Sequence, residues 1–415
     1  MSRLLSLILL LFASVAISAQ QRADSLLMRF VHSEGLDLYT ANDIEIFTNG
    51  SSTFDALFAD IDRAQHKVWV EFMIVANDSI GNLLIDHLAQ AADRGCEVRL
   101  IIDDYKDWER SYGFRTRRGQ ASIRNRGIDL VLFDPFRFPW VNHVCRDHRK
   151  IVVIDDHIGY IGGLNVADYY VNGDPKYRDW RDTHLRLTGR ANEGLAVLFD
   201  QHYRRNGGEG EFSFNYDAPY NIVSSDTPSQ PKVVYFERSR TSGKLKSQTR
   251  RAFIAAFDAA RDTLRFVTPY MLPTYTVRQA ILRALRRGVY VELMFSRYGD
   301  NPMLSYGNFN FAQTLYKHGA HIYLYRGAFH HSKIIMVDGQ LSMVGSANLN
   351  SRSLKWDYEA SSFIFSHDIT HRLDSIFRTD TQSSDIFTPS YYRREFNVAR
   401  RTAGWCIDRF LTPIL

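Results

Sequence analysis

Cysteine is scarce in this chain: Cys96, Cys145 and Cys406 are the only three in 415 residues. Their spacing matches no zinc pattern, and an odd, sparse set builds no disulfide framework even in an exported protein. Cys145 lies near a histidine that matters below, but a free cysteine behaves mostly as a small buried hydrophobe, and a packing role is expected. A strong excess of one charge is also missing. Lys and Arg number 51 against 46 Asp and Glu, and the net charge of +5 is a mild basic excess that suits anionic lipid and nucleic acid equally. A long basic tract interleaved with aromatics, of the kind that binds a polynucleotide, is absent, so no nucleic-acid partner is expected. Past the first nineteen residues no stretch is long and apolar enough to span a bilayer. The remaining composition, 45% hydrophobic and 23% charged, is that of a globular protein with room for two domains or two fused halves.

What is present begins with a targeting segment over residues 1–19. Arg3 gives a charged start, Leu4 to Ile17 an apolar run, and Ala16-Ile17-Ser18-Ala19 small residues for cleavage after Ser18 or Ala19. As a signal peptide or an uncleaved anchor, it places the body of the chain outside the cytosol, on the periplasmic side of a bacterial envelope, peripheral or signal-anchored at the membrane.

One short motif then occurs twice. The first copy is His148-Arg149-Lys150, four apolar residues, Asp155, and Gly162-Gly163-Leu164-Asn165. The second is His331-Ser332-Lys333, four apolar residues, Asp338, and Gly345-Ser346-Ala347-Asn348. In both copies His precedes Lys by two, Asp by seven and Asn by seventeen. A strand sends residues i and i+2 to the same side, so each His and its Lys face one space. The apolar residues that follow predict a strand buried on both faces. The small-residue turn predicts close approach of backbone to a ligand. Two copies brought together hold two imidazoles, two ammonium groups and two amides. This set suits a phosphodiester: Lys and Asn stabilise its oxygens, one His attacks phosphorus, and the other protonates the leaving oxygen.

On these residues the chain resembles the phospholipase D superfamily, whose signature appears twice. The resemblance implies an α/β fold of two similar halves, each a mixed sheet flanked by helices, packed around one shared active site. It also implies a covalent phosphohistidine with no metal and no cofactor. The catalytic set it implies is His148, Lys150, Asp155, His331, Lys333 and Asp338, with Asp155 and Asp338 mainly supports. Asn165 and Asn348 would bind phosphate, and a later carboxylate would orient each His: Glu359 from the second half and Asp182 from the first. His148 would attack and His331 would act as the acid. His143, His184 and His330 have no repeat partners and are expected to be bystanders.

The repeat extends past the motifs. Asn49-Gly50-Ser51-Ser52 reads as a turn and cap. Helical spacing over Phe54, Leu57, Phe58, Ile61 and Ala64, a strand over 66–75, a helix over 83–94 closed by Gly95, and a strand over 97–102 open the first half. A helix over 246–260, a strand over 263–267, a helix over 277–287 closed by Gly288, and a strand over 289–295 open the second. Arg94-Gly95 aligns with Arg287-Gly288, and Gly127-Ile128 with Gly319-Ala320. The expected organisation is 1–19 targeting segment, 43–205 first half, 206–231 linker, 232–388 second half and 389–415 amphipathic tail. A further helix is expected near 23–31.

Several segments are similar to the bacterial cardiolipin synthase branch: Asn165-Val166-Ala167-Asp168-Tyr169-Tyr170 with Trp180-Arg181-Asp182-Thr183-His184, Thr268 to Pro273, Asn348 to Ser353 with Tyr358-Glu359, and the closing Leu411 to Leu415. Long members of that branch carry two N-terminal spanning helices, so this chain is similar to a short form. The resemblance implies a transphosphatidylase that joins two phosphatidylglycerols, or a related lipid, at an anionic phospholipid membrane. Hydrolysis to phosphatidic acid is the alternative, with a nuclease third; a decayed scaffold is disfavoured by two intact motifs. Phe136 to Val141 is a lipid-facing lip or core. The tail, where Arg residues mix with Phe396, Trp405, Phe410 and Leu411, is the candidate membrane contact.

Overall fold

The computed structural model describes residues 26–104, 112–133, 145–174, 179–214, 230–241 and 244–412. The targeting segment, the lip 136–141, His143, most of the linker and the last three residues lie outside the described residues.

Each half builds one mixed sheet, and the two sheets share one topology. In the first half β1 is Asp43–Phe47, β2 Lys67–Phe72, β3 Glu97–Asp103, β4 Asp129–Phe133, β5 Lys150–Ile154, β6 Ile158–Gly162 and β7 His184–Thr188. In the second, β8 is Lys232–Thr241, β9 Thr263–Val267, β10 Tyr290–Ser296, β11 His321–Tyr325, β12 Ile334–Val337, β13 Leu341–Gly345 and β14 Glu359–Phe365. The spatial order is β1-β7-β6-β5-β2-β3-β4 in one sheet and β8-β14-β13-β12-β9-β10-β11 in the other, where Tyr39–Thr40 and Ser384–Ile386 extend the two edges. Parallel pairing holds among β2, β3 and β4, and among β9, β10 and β11; the motif strands β5 and β12 enter antiparallel beside them.

The motif strands are buried on both faces, and their alternation explains why. On β5, Ile151 and Val153 join a core between the two sheets, while Val152 and Ile154 face an outer core. On β12, Ile334 and Met336 join that same central core, and Ile335 and Val337 face the other outer core. Helices α1 (Gly50–Arg63) and α2 (Ser79–Asp93) cover the first outer face through Leu57, Ile61, Leu84 and Leu88. In the central core, α3 (Ala191–Arg205) contributes Leu195 and Phe199. The second outer face is covered by α4 (Gln248–Ala259), α5 (Tyr275–Arg286) and α6 (Pro302–Lys317). The last of the long helices, α7 (His367–Gln382), adds Leu373 and Phe377 to the central core.

Local chemistry set most boundaries, and pairing moved some. Gly95 and Gly288 close α2 and α5 at φ 94° and 85°, where glycine meets no Cβ penalty. The helix expected from 83 starts earlier, because Asp78 caps the N–H of Gly81 at 3.0 Å. The strand expected over 66–75 ends at Phe72, and Val75 makes only an isolated bridge to Val166. The helix expected from 246 begins at Gln248, because Lys244–Ser247 instead forms a hairpin strand with β8. The N-terminal helix occupies 26–33 and sends Leu27, Phe30 and Val31 into the second half's core. Among the described residues no helix is long and apolar enough to cross a membrane.

Each motif aspartate ties neighbouring strands of its own sheet at the end away from the histidine. Asp155 accepts the N–H groups of Gln65, His66 and Lys67 at 2.8–2.9 Å, and Asp338 those of Arg261, Asp262 and Thr263 at 2.8–2.9 Å. Both adopt a left-handed backbone, φ 49° and 50°, which Asp tolerates better than most residues. Seven residues of extended chain separate each from its His, roughly 23 Å at strand rise. Their place in the catalytic set is therefore corrected: they close the β5 and β12 ends and touch no reacting atom. Asp338→Ala should lower stability by about 2 kcal/mol in equilibrium denaturation, three charge-assisted bonds being lost. Folded variant protein should keep its turnover; an inactive but fully folded variant would assign the carboxylate a direct role.

Candidate active site

Two short backbone ladders join the halves, and they determine where the histidines sit. Phe329–His330 pairs in parallel with Trp180–Arg181, and the His331 N–H donates to the Arg181 carbonyl at 2.6 Å. Symmetrically, Asp147 bridges Tyr358 in parallel, Tyr358 N–H donates to Arg146 O at 2.7 Å, and His148 N–H donates to Tyr358 O at 2.9 Å. Each motif His is thus pinned to the residue that precedes a carboxylate of the opposite half.

The side chains follow the backbone. His148 Nδ1 lies 3.0 Å from Glu359 Oε2, and His331 Nδ1 lies 2.6 Å from Asp182 Oδ2. The expected carboxylates are both present, and their pairing crosses between halves. Asp182 and Glu359 occupy equivalent places, since Gly163 N–H donates to Thr183 O and Ser346 N–H to Ala360 O, each at 3.0 Å.

The small-residue turns have a different reason from the one expected. A Cβ on Gly163 would fall 2.2 Å from Asp182 Oδ1, so glycine there makes room for the orienting carboxylate rather than for a ligand. In the second half Ser346 fills that place, and its hydroxyl donates to Glu359 and accepts the Ala360 N–H at 3.1 Å.

Lys150 donates to the carbonyl of His148 at 2.6 Å, and Lys333 donates to that of His331. Lys333 also sits 3.8 Å from Asp182 Oδ2. Burial pushes Lys333 down to about 7, with Asp182 opposing and Lys150 reinforcing the shift. Burial likewise pushes Lys150 down to about 8, against the pull of Glu359. Burial and then the Lys333 charge hold the His331 imidazole down to about 3. Burial alone would raise the two carboxyls. Lys333 and His331 outweigh it at Asp182, and His148 and Lys150 at Glu359, so both acids lie below their ordinary values. The imidazoles keep 12% and 7% side-chain exposure, while both carboxylates have none and Lys333 has 1%. The rings are what a ligand meets first.

The asparagines differ. Asn165 is occupied by protein: Nδ2 donates to the Tyr170 hydroxyl at 2.9 Å and Oδ1 accepts from Ile74 N–H at 3.3 Å. Asn348 is buried with its Oδ1 unpartnered. Sequence reasoning missed the aromatic wall of His331, formed by Trp180, Phe329 and Tyr170 with ring centroids at 5.2, 5.7 and 6.1 Å. Proximity was a usable signal, since Trp180 and Phe329 each sit two residues before a member of the set. It also missed the Thr183–Ser332 hydroxyl pair across the halves at 2.9 Å. His330 faces away toward Asp380 at 3.2 Å. His184 is buried beneath Gly162 with Nδ1 unpartnered, and burial pushes it down to about 4. Cys145 is buried and not in a disulfide.

Behind His148 lies a sealed ionic group. Arg149 pairs with Glu237 at 2.5 Å, and the His202 ring sits 3.5 Å from Glu71 and 3.9 Å from Asp147. Glu71, Asp147 and His202 place ligand-type atoms within 4.8 Å of one another, a cluster that sequence spacing gave no hint of. The Arg149 charge acts on all three, and burial followed by mutual repulsion drives the Glu71 carboxyl well up. A proton shared between Glu71 and Asp147 fits this arrangement. The cluster backs the His148 strand.

Comparison with known proteins agrees with this geometry. A family model described as "Cardiolipin synthase, PLD-like domain" matches residues 57–174 and 253–381. Cardiolipin synthase of Oceanobacillus iheyensis is 32% identical over 386 residues, covering 91% of this chain and 76% of that protein. The Staphylococcus aureus enzyme of the same name is 30% identical over 392 residues, covering 94% and 77%. Among solved structures, phosphatidylserine synthase of Haemophilus influenzae superposes with a TM-score of 0.70 at 15% identity, covering 95% of this chain and 99% of that one, which speaks to the fold. Two α/β halves of one topology, a motif pair meeting between them and relatives alike over nine-tenths of the length make the chain a member of the phospholipase D-like family of cardiolipin synthases.

Proposed function

We propose that this chain is a phosphatidyltransferase that joins two phosphatidylglycerols into cardiolipin and releases glycerol. The observation that carries the reading is the crossed pair: two imidazoles, each fixed at Nδ1 by a buried carboxylate of the opposite half, beside two buried ammonium groups.

A proton on Nδ1 donated to Glu359 leaves the lone pair of His148 on Nε2. That nitrogen attacks phosphorus, and Glu359 stabilises the positive charge that grows on the ring. The bond from phosphorus to the head-group glycerol oxygen breaks, and His331 Nε2 gives that oxygen its proton. Burial and Lys333 keep His331 neutral before substrate arrives. The anionic phosphodiester offsets the Lys333 charge and so favours protonation of the ring. In the second step His331 takes a proton from a hydroxyl of the incoming phosphatidylglycerol. Its oxygen attacks phosphorus, cardiolipin leaves, and His148 is regenerated. Lys150 and Lys333 hold the equatorial oxygens through both steps, with Asn348 beside them. A positioned alcohol outcompetes water by its effective concentration. Hydrolysis to phosphatidic acid is the same chemistry with water as acceptor. The leading segment exports the chain, and the body works at the membrane surface where both substrates reside.

Phosphatidylglycerol vesicles should yield cardiolipin and glycerol, and His148→Ala or Lys333→Ala should abolish both. Phosphatidic acid as the sole lipid product across lipid densities would make the protein a phospholipase, and cleaved oligonucleotides with inert vesicles would make it a nuclease.

The two histidines separate by trapping. His331→Ala should slow breakdown of the intermediate and let phosphatidyl label accumulate on His148; label on His331 in the intact enzyme would reverse the roles.

The protonated ammonium groups are the binding form, so affinity for a non-cleavable phosphodiester should be full below the Lys333 value and fall as pH rises through both lysines. A loss of about tenfold or more between roughly pH 7 and pH 9 is expected by titration calorimetry. A flat profile would remove the lysines from the phosphate site.

A further inference from the structure

The tail divides into an inward part and an outward part, and the outward part is not built for water. Tyr391 and Tyr392 are buried, and Phe396 packs on Phe309 with centroids at 4.5 Å, so this stretch belongs to the second half's core. The helix that follows, α8 (Val398–Cys406), continues through Ile407–Leu411 and lies along α6. Its inner side fits closely: a Cβ on Gly404 would fall 2.5 Å from the Tyr306 carbonyl, Ile407 is buried, and buried Asp408 accepts from Asn310 at 2.8 Å and pairs with Arg278. Its outer side shows Val398, Trp405 and Phe410 at 69%, 52% and 63% exposure, and the last two rings touch at 5.6 Å. Exposed Arg409 lies one turn on from Trp405, exposed Arg393 sits on the short helix Pro389–Glu395 just before, and among the described residues no carboxylate lies within ion-pair distance of either.

This face packs on the helix that follows Asp300. Asp300, just before α6, accepts the Tyr270 hydroxyl at 2.5 Å and lies within electrostatic range of Lys333. Gly404 meets α6 at Tyr306, about one turn into that helix. Tyr298 and Met303, at 59% and 40% exposure, bring further apolar surface to the start of α6.

We infer that the outward face of Val398–Leu411, with Trp405 and Phe410 as the apolar wedge and Arg393 and Arg409 beside it, docks the enzyme on an anionic phospholipid bilayer. The charge decides the occupant. A protein groove would offer partners of either sign, whereas this face presents unpaired guanidinium groups around interfacial aromatics, the pattern that suits an anionic headgroup layer. The inference rests on the lipid substrate proposed above and names the surface that meets it.

The test uses the full chain. With vesicles of brominated phosphatidylglycerol, the share of tryptophan emission that disappears in Trp405→Phe should be quenched; with brominated phosphatidylcholine it should be quenched far less. Arg393→Glu with Arg409→Glu should cut cardiolipin formation on phosphatidylglycerol vesicles by about tenfold or more, since surface guanidinium groups are drawn to an anionic membrane. Turnover of monomeric short-chain phosphatidylglycerol by the same variant should stay at the wild-type rate. Unquenched Trp405 emission, equal quenching by both lipids, or wild-type vesicle turnover in the charge-reversed variant would each overturn the docking surface. Failure of the wild-type enzyme to form cardiolipin from either vesicles or short-chain lipid would instead overturn the transferase reading, while the quenching result still reports on docking.

Discussion

Each motif imidazole is held by the half of the molecule that does not contain it, and the rest of the site depends on that crossing. The backbone makes the crossing first, through the ladder between Phe329–His330 and Trp180–Arg181 and the bridge between Asp147 and Tyr358. The carboxylates then meet the rings because Asp182 and Glu359 come next in their own strands. Neither half alone orients its own His. Separation of the halves would break both imidazole–carboxylate pairs. The shared core of Ile151, Val153, Ile334 and Met336 keeps them together by burying the alternate residues of the same motif strands.

The charges are buried because the chemistry needs them undiluted by water. Two lysines and two carboxylates, nearly without exposure, balance one another, and their interactions are stronger there than at a surface. The consequence is visible in the lysines, which burial brings down to about 7 and 8. A phosphodiester entering past the imidazoles supplies the negative charge the lysines lack, so substrate completes the site electrostatically.

The repeat is not perfect, and its departures distinguish the halves chemically. Ser346 donates to Glu359 where Gly163 leaves only space for Asp182. Arg149 anchors a buried ionic cluster behind His148, and its counterpart Ser332 makes only a hydroxyl pair with Thr183. Asn165 is engaged by Tyr170 and Ile74, whereas Asn348 keeps an unpartnered carbonyl oxygen. His331 has an aromatic wall of Trp180, Phe329 and Tyr170. Two imidazoles in equivalent backbone settings therefore stand in different surroundings, which allows them different work.

The sequence by itself determined the residue types, their register and the two-half plan, because all of these are local. The offsets among His148, Lys150 and Asn165 and among His331, Lys333 and Asn348 are short. Strand alternation decides which of Ile151 to Ile154 face which core, and Gly95 and Gly288 end their helices through backbone freedom alone. Asp182 and Glu359 were legible as orienting carboxylates from the resemblance. Which His each one serves was not, because the pairs are 149 and 211 residues apart in the chain and only the meeting of two sheets brings them together. The same holds for the distance of Asp155 and Asp338 from the chemistry, for the hairpin that shortened the helix expected from 246, and for the inward turn of Phe396. It holds as well for the depressed lysines, since a pKa follows burial and neighbouring charge, and both are properties of the packed molecule.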